Sequence, residues 1–180
     1  MVHIPEENYA QTVTDDTRPP VPYTGSERDL LIAFLDHHRQ TFELKCRGLD
    51  QAQMSTMAVP PSGLSLHGLL RHLAGTEQWW FSTQFLGSDE PMIYYSDDDP
   101  DQDFEHLDGP VEEAWAAWHE QVARSREIVA AASLDDEGTV LRHDLPVSLR
   151  RIMIHMIVEY ARHNGHADLL RERIDGATGM

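Results

Sequence analysis

The longest helical pattern in the sequence covers residues 148–176. Ser148 is a residue type that caps helix N-termini, and Gly176 is typical of the position after a helix C-terminus. Between them, apolar residues recur at intervals of three and four, which is the period of an amphipathic helix. A helix of this length in a chain of 180 residues must bury one face against partners of similar length. The segment therefore predicts a helical domain.

Three earlier segments have the same period and comparable length. The first follows Ser26, which begins a capping-box-like start, and the second follows Ser62 or Ser65 as its N-cap. The third begins at Gly109-Pro110, where proline suits the first turn of a helix. Their predicted bounds are 27–49, 66 to about 87, and 110 to about 132. Four such helices with polar connections predict an all-α four-helix bundle.

The remaining segments divide the chain into an arm and one domain. Residues 1–25 contain four prolines and no sustained periodicity, so they predict an extended N-terminal arm. Residues 26–180 then form the bundle domain. Between helices two and three, residues 88–108 are acidic and interrupted by proline, which predicts a long surface loop.

Four aspartates in this loop have the alternate spacing of a calcium-binding loop. They are Asp97, Asp99, Asp101 and Asp103. A calcium-binding EF-hand loop requires glycine at its sixth position and glutamate at its twelfth, but this chain has Gln102 and Asp108 there. The pattern therefore predicts a solvated acidic loop and no calcium site.

The composition excludes several classes of partner. With 31 acidic and 14 basic residues the formal net charge is -17, which disfavours nucleic acids and anionic membranes because both bind through Lys and Arg. Cys46 is the only cysteine, so the chain offers neither a disulfide nor a thiolate cluster. No signal-like or membrane-spanning apolar run is found, which predicts a cytoplasmic protein. Lys45 is the only lysine, a bias that hints at a GC-rich, actinobacterial genome.

Helix four carries titratable residues on its apolar stripe. The residues within this sector are Ile152, Met156, Glu159, His163, His166, Leu170 and Ile174. A carboxylate in a bundle core loses several kcal/mol of hydration, roughly, unless a cation or strong donors compensate it. Glu159 therefore requires a partner.

A partner is available on helix two, where His72 shares a face with apolar residues. His72 together with Glu159 and His163 makes a three-ligand site with two nitrogens and one oxygen, suited to Zn or Ni first and to Fe or Mn next. His166 is a fourth ligand or a supporting donor, and His155 lies at the edge of the stripe. The alternative is a buried Glu–His ion pair that only holds helices together.

Other candidate residues are weaker. Trp79 or Trp80, close to His72, is the better prediction for a pocket wall, and Cys46 has no partner in the sequence that would make it a nucleophile. Five histidines are predicted to be surface or loop residues. They are His37, His38, His67, His106 and His143.

Two stretches carry a family resemblance. SGLSLHGLLRHLAGTEQWWF and SLRRIMIHMIVEYARHNGHADLLRERIDGATG resemble the DinB-like superfamily, specifically its mostly actinobacterial subgroup of unknown function. Members are four-helix bundles that hold a divalent metal through a histidine of the second helix and two ligands one turn apart on the fourth. The resemblance implies His72, Glu159 and His163 as those ligands. Many relatives have His-x3-His followed by Arg-Gly-Gln, whereas this chain has Glu159-x3-His163 followed by Asn-Gly-His166.

The resemblance also implies a chemistry. The glutamate variant is similar to the metal-binding domain of mycothiol-dependent maleylpyruvate isomerase, and characterised relatives transfer a low-molecular-weight thiol. We therefore expect a metal-dependent thiol S-transferase with mycothiol as co-substrate and a small electrophile as substrate, in which His166 or His155 handles a proton. The alternatives are a metal-dependent hydrolase of a small amide or ester, and a non-enzymatic metal-binding stress protein. A homodimer is compatible with a bundle of this size.

Overall fold

The structure is a computed structural model that describes residues 16–140 and 145–178. The first fifteen residues of the predicted arm, and His143, lie outside the described residues. Residues 16–25 form no helix or strand, and Arg18 connects them to the first helix by donating a hydrogen bond to Thr41 Oγ1 at 2.5 Å. The division into an arm and a bundle domain stays a prediction.

The described part of the chain contains four long α-helices and one short one. They are α1 (Glu27–Cys46), α2 (Gln51–Met54), α3 (Leu66–Glu77), α4 (Val111–Ala131) and α5 (Leu149–Asp175). Three serine caps act as predicted: Ser26, Ser65 and Ser148 each accept a hydrogen bond from the backbone N–H three residues on. Gly176 ends α5 with a left-handed φ of 78°.

Two predicted helices end differently in the structure. α1 stops at Cys46 instead of residue 49, because Arg47 leaves the helical region and Gly48 takes a φ of 78°. α3 passes at Gln78 into a π-helical segment, Gln78–Phe85, in which each turn holds an extra residue. No pattern in the sequence marks this change of period.

The long helices form the predicted all-α bundle. α1 packs mainly against α5, and α3 packs against α4. The core between them is closed by large apolar side chains with almost no exposure. They include Phe42, Leu69, Leu73, Phe81, Trp118, Ile152 and Met156. Between α4 and α5, Glu137 and Ser148 form an isolated antiparallel bridge.

The loop between α3 and α4 is only partly solvated. Asp97, Asp98 and Asp101 are exposed as predicted, but the segment 102–106 is docked on α3. Phe104 packs so closely on Gly68 that a Cβ atom on residue 68 would lie 2.9 Å from Phe104 Cδ1. The loop therefore lies on the surface as predicted, but residues 102–104 are half-buried because they pack on α3.

None of the described helices combines the length and the hydropathy that crossing a membrane requires.

Candidate metal centre

The inner face of α5 carries the titratable residues predicted from the stripe. Ile152, Met156 and Leu170 are at most 1% exposed, and Glu159 and His163 are each 7% exposed between them. Because residues four apart lie one above the other on a helix, the Glu159 and His163 side chains meet. α5 therefore presents a carboxylate and an imidazole together toward α3.

Three side chains from α3 and α5 converge at one point. Glu159 Oε1 lies 3.0 Å from His163 Nε2 and 3.4 Å from His72 Nε2. One ligand atom from each residue lies within 4.8 Å of the other two, and this is the one such group among the described residues. Atoms bound tetrahedrally to zinc at about 2.1 Å would be about 3.4 Å apart. The donor set and its spacing thus fit a divalent metal.

The surroundings keep Glu159 ionised. Hydrogen bonds from His163 and His72 hold the pKa of its carboxyl far below the ordinary range, in spite of burial. Arg162 also reaches Glu159 Oε2 at 3.2 Å, and His155 Nε2 is 3.9 Å from the same oxygen. The carboxylate is therefore an anion at every physiological pH, as a metal ligand must be.

His72 is held by a residue that the sequence analysis placed in solvent. Asp103 Oδ2 accepts a hydrogen bond from His72 Nδ1 at 2.7 Å, and the Asp103 side chain is only 15% exposed. Burial alone would lower the pKa of His72, but the bonds to Asp103 and Glu159 outweigh it and raise the pKa to about 9. The prediction of a solvated Asp103 is wrong.

The two residues predicted to handle protons take different places. His166 Nδ1 lies 3.3 Å from His163 Nδ1, behind the ring nitrogen that faces Glu159, and it is outside the three-residue group. Burial, with His163 and Arg162 nearby, lowers the pKa of His166. His155 instead packs against Trp80, with ring centroids 4.4 Å apart. His166 supports a predicted ligand, whereas His155 faces the cavity beside Glu159.

The family model described as mycothiol-S-transferase matches residues 30–176, which is most of the chain. This chain belongs to that family. Because the family is DinB-like, the resemblance predicted from the α3 and α5 motifs is confirmed. Members of such families generally bind metal, in agreement with the donor set described above.

Two further comparisons concern the fold and the curated proteins. A crystal structure of a conserved protein from Enterococcus faecalis is similar to this member of the family with a TM-score of 0.63 and 17% sequence identity. The similarity covers 85% of this chain and 99% of that one, so it shows a shared fold. No curated protein matches the sequence.

In this family member a cavity of about 490 Å³ opens beside the candidate metal centre. Its lining includes His72 and Glu159 of the centre, together with His155 and Asp103. Most of its wall is aromatic or apolar. These residues are Trp79, Trp80, Met92, Tyr94 and Tyr95. Both tryptophans proposed from the sequence line it, and both belong to the π-helical segment.

Two buried groups in this family member were missed or misplaced by sequence reasoning. His67, predicted to be a surface residue, is 2% exposed and pairs through Nδ1 with Ser55 Oγ at 3.0 Å, because α2 and the docked loop cover that side of α3. Glu77, near the end of α3, is fully buried against Arg39 and Tyr160. Its position in the same helical period as Leu70, Leu73 and Ala74 was the available signal.

Proposed function

We propose that the protein is a metal-dependent thiol S-transferase that joins a mycothiol-type thiol to a small electrophile. His72, Glu159 and His163 would hold a divalent metal, Zn or Ni ahead of Fe or Mn. The observation that carries the proposal is the convergence of these three donors beside a 490 Å³ cavity, which two of them, His72 and Glu159, line. The family match supports the thiol as co-substrate.

The fit of the donor set rests on charge as well as spacing. Two imidazoles and one carboxylate can bind a divalent cation when the metal-facing nitrogen of each imidazole carries no proton. When bound, such a cation favours thiolate over thiol at neutral pH and so supplies the nucleophile. The side chains of this chain then have three tasks: to orient the thiol, to receive its proton and to exclude water.

His155 is the residue we propose as proton acceptor. Its ring lines the cavity and its Nε2 is 3.9 Å from Glu159 Oε2, so it borders both the centre and the space for substrate. In the proposed step the thiol proton passes to His155, and the sulfur electron pair forms a bond to the electrophilic carbon. The leaving group departs with its bonding electrons. His166 stays a positioning residue for His163 in this scheme.

The cavity wall gives the electrophile its chemical constraints. Four aromatic rings and Met92 favour a flat or apolar substrate body, since such surfaces gain most from burial against rings. A cytoplasmic location, where thiols stay reduced, accords with this chemistry, and it stays a prediction together with the homodimer.

The test is metal content, measured by plasma mass spectrometry on tag-free protein. We expect near-stoichiometric metal in the wild type and its loss in Glu159→Ala and His163→Ala. His119→Ala is the matched control, because His119 pairs with Glu43 on another face and is 58% exposed in its side chain. If the wild-type protein is purified without metal and also fails to bind added Zn, Ni, Mn or Fe, a buried ion pair is the better explanation of the three residues.

Activity is then measured on the metal-loaded protein. Mycothiol with a panel of aromatic and aliphatic electrophiles is compared with a panel of small esters and amides. We expect thiol-dependent product, reduced in His155→Ala at unchanged metal content. Ester hydrolysis without thiol dependence would instead indicate a metal-dependent hydrolase, and metal binding without either activity would indicate a metal-binding protein.

A further inference from the structure

The docked loop segment is anchored by a buried cation of α3. Arg71 is 8% exposed and donates to three backbone carbonyls of the segment, including that of Glu105 at 2.8 Å. The other two are those of Gln102 and His106. A guanidinium has five donors in a rigid fork, so several carbonyls can be fixed by one side chain. Residues 102–106 are therefore held as a strap on α3.

An aromatic side chain fixes the strap from inside. Phe104 contacts Gly68 and stacks on the His72 ring, with centroids 5.3 Å apart and planes inclined by 28°. Any larger residue at position 68 would push Phe104 away. The strap residue next to Phe104 is Asp103, whose Oδ2 accepts a hydrogen bond from His72 Nδ1. Its other oxygen, Oδ1, is buried without a hydrogen-bond partner among the described residues.

We propose that Asp103 is a positioning residue that orients His72 toward Glu159 and His163, and that strap docking and metal binding are thereby coupled. With a proton held on Nδ1 by the carboxylate, the lone pair of His72 Nε2 points at the centre. A carboxylate behind a ligating imidazole also increases its donor strength. The inference rests on the proposed metal site.

The coupling follows from linkage. If the metal binds more tightly when the strap orients His72, then bound metal must favour the docked strap by the same factor. The consequence reaches the cavity, because the same loop supplies Met92, Tyr94 and Tyr95 to its wall. A metal-loaded centre would thus also order one side of the substrate space.

The first arm of the test measures zinc affinity by competition with a chromophoric chelator. We expect Asp103→Ala to weaken zinc binding by about 10–100-fold, the usual effect of removing such an outer partner. Asp103→Asn keeps an acceptor for Nδ1–H and should recover part of the loss. Asp101→Ala is the matched control: it removes the same charge from an exposed side chain of the same loop, and should stay within about twofold of wild type.

The second arm measures hydrogen exchange of the strap amides with and without zinc. The amides of Phe104 and Glu105 bond to Asp101 O at 2.9 and 3.2 Å, so their exchange reports the turn that the strap forms when Phe104 is packed on α3. We expect zinc to slow their exchange in the wild type and in Asp101→Ala, but not in Asp103→Ala. A merely structural Asp103 would change exchange equally with and without zinc, which separates the two roles even where the variant is less stable.

The outcomes distinguish this inference from the proposed site. Zinc bound equally well by Asp103→Ala and Asp101→Ala, or strap exchange in the wild type unaffected by zinc, would overturn the inference and leave the site standing. A wild type that binds no zinc would overturn the proposed function itself. Weakened binding with restored affinity in Asp103→Asn and zinc-dependent protection would support the positioning role.

Discussion

Two buried glutamates in this bundle have opposite kinds of partner. Glu77 is fully buried and accepts from Arg39 Nε and Nη2, each at 2.8 Å, and from Tyr160 Oη at 2.8 Å. Glu159, the next residue to Tyr160 on α5, is 7% exposed and faces two imidazoles. A buried guanidinium neutralises the first carboxylate, whereas the second faces imidazoles that can release their protons, and its one guanidinium partner, Arg162, is largely exposed.

This difference separates a structural pair from a candidate site. Trp118 Nε1 donates to Tyr160 Oη at 2.8 Å, so the Glu77 network joins one residue from each long helix. The cation of this network offers a metal no lone pair, because a guanidinium has no acceptor. The Glu159 cluster holds imidazole nitrogens that bind either a proton or a metal. Burial of a carboxylate alone thus indicates neither role; the protonation chemistry of its partners decides.

The largest expected effect is on stability, from Glu77→Gln. The substitution strands the guanidinium of Arg39, which cannot lose its proton, in the core. We expect the free energy of unfolding to fall by about 3–5 kcal/mol in urea denaturation of metal-free protein. Asp36→Asn, which removes the less buried partner of Arg39, is the control and should cost much less. Equal losses would contradict the assignment of Glu77 as the essential partner.

Glu159→Gln should cost less in the same experiment. When the carboxylate is removed, His72 keeps Asp103 as its partner and the Arg162 side chain is 55% exposed, so no unpaired charge is left behind in the core. We expect a loss of about 1–2 kcal/mol at pH 7, that of an unsatisfied polar group. If the metal-free Glu159→Gln protein is destabilised as strongly as Glu77→Gln, the proposed difference between the two glutamates is contradicted.

The pH dependence of metal binding sharpens the contrast. The pKa of His72 is raised to about 9 in the metal-free protein, so below this pH a metal must displace a proton. We expect apparent zinc affinity to fall by about tenfold for each unit of pH between 8.5 and 6.5, from this residue alone. Competition titrations at constant ionic strength measure the slope. A flat profile would mean that His72 is not a ligand.

The smallest effect is expected at His166. Its Nδ1 is 3.3 Å from His163 Nδ1, and the residue is partly exposed, so His166→Ala should weaken zinc binding by about tenfold at most. His166→Gln keeps a polar partner for His163 and should lie closer to wild type. Loss of metal on the scale of Glu159→Ala would identify His166 as a fourth ligand instead.

Helix periodicity predicted most of the bundle and part of the site. The stripe on α5 placed Glu159 and His163 in the core, and the apolar face of α3 placed His72 opposite them, because side-chain direction on a helix depends only on spacing. The end of α1 and the π-helical segment were not predicted. Both depend on local backbone choices that Gly48 and tertiary contacts make.

The acidic loop shows where sequence reasoning stopped. Four aspartates at alternate positions share one pattern, yet only Asp103 turns inward to a histidine. Asp103 is selected by the packing of Phe104 on Gly68 and by the hydrogen bonds from Arg71 to neighbouring backbone carbonyls. These contacts join residues about thirty positions apart. No period links such residues.

The sequence by itself determined the four amphipathic helices, their caps and the presence of a carboxylate and imidazoles on inward faces, because these follow from local spacing and residue type. Only the tertiary structure decided that Glu77 meets Arg39 while Glu159 meets His72 and His163, and that Asp103 leaves solvent to hold His72. The reason is physical: the charge state and partners of a buried group depend on which side chains other helices and loops bring within about 3 Å of it, and such contacts are set by packing, not by sequence distance.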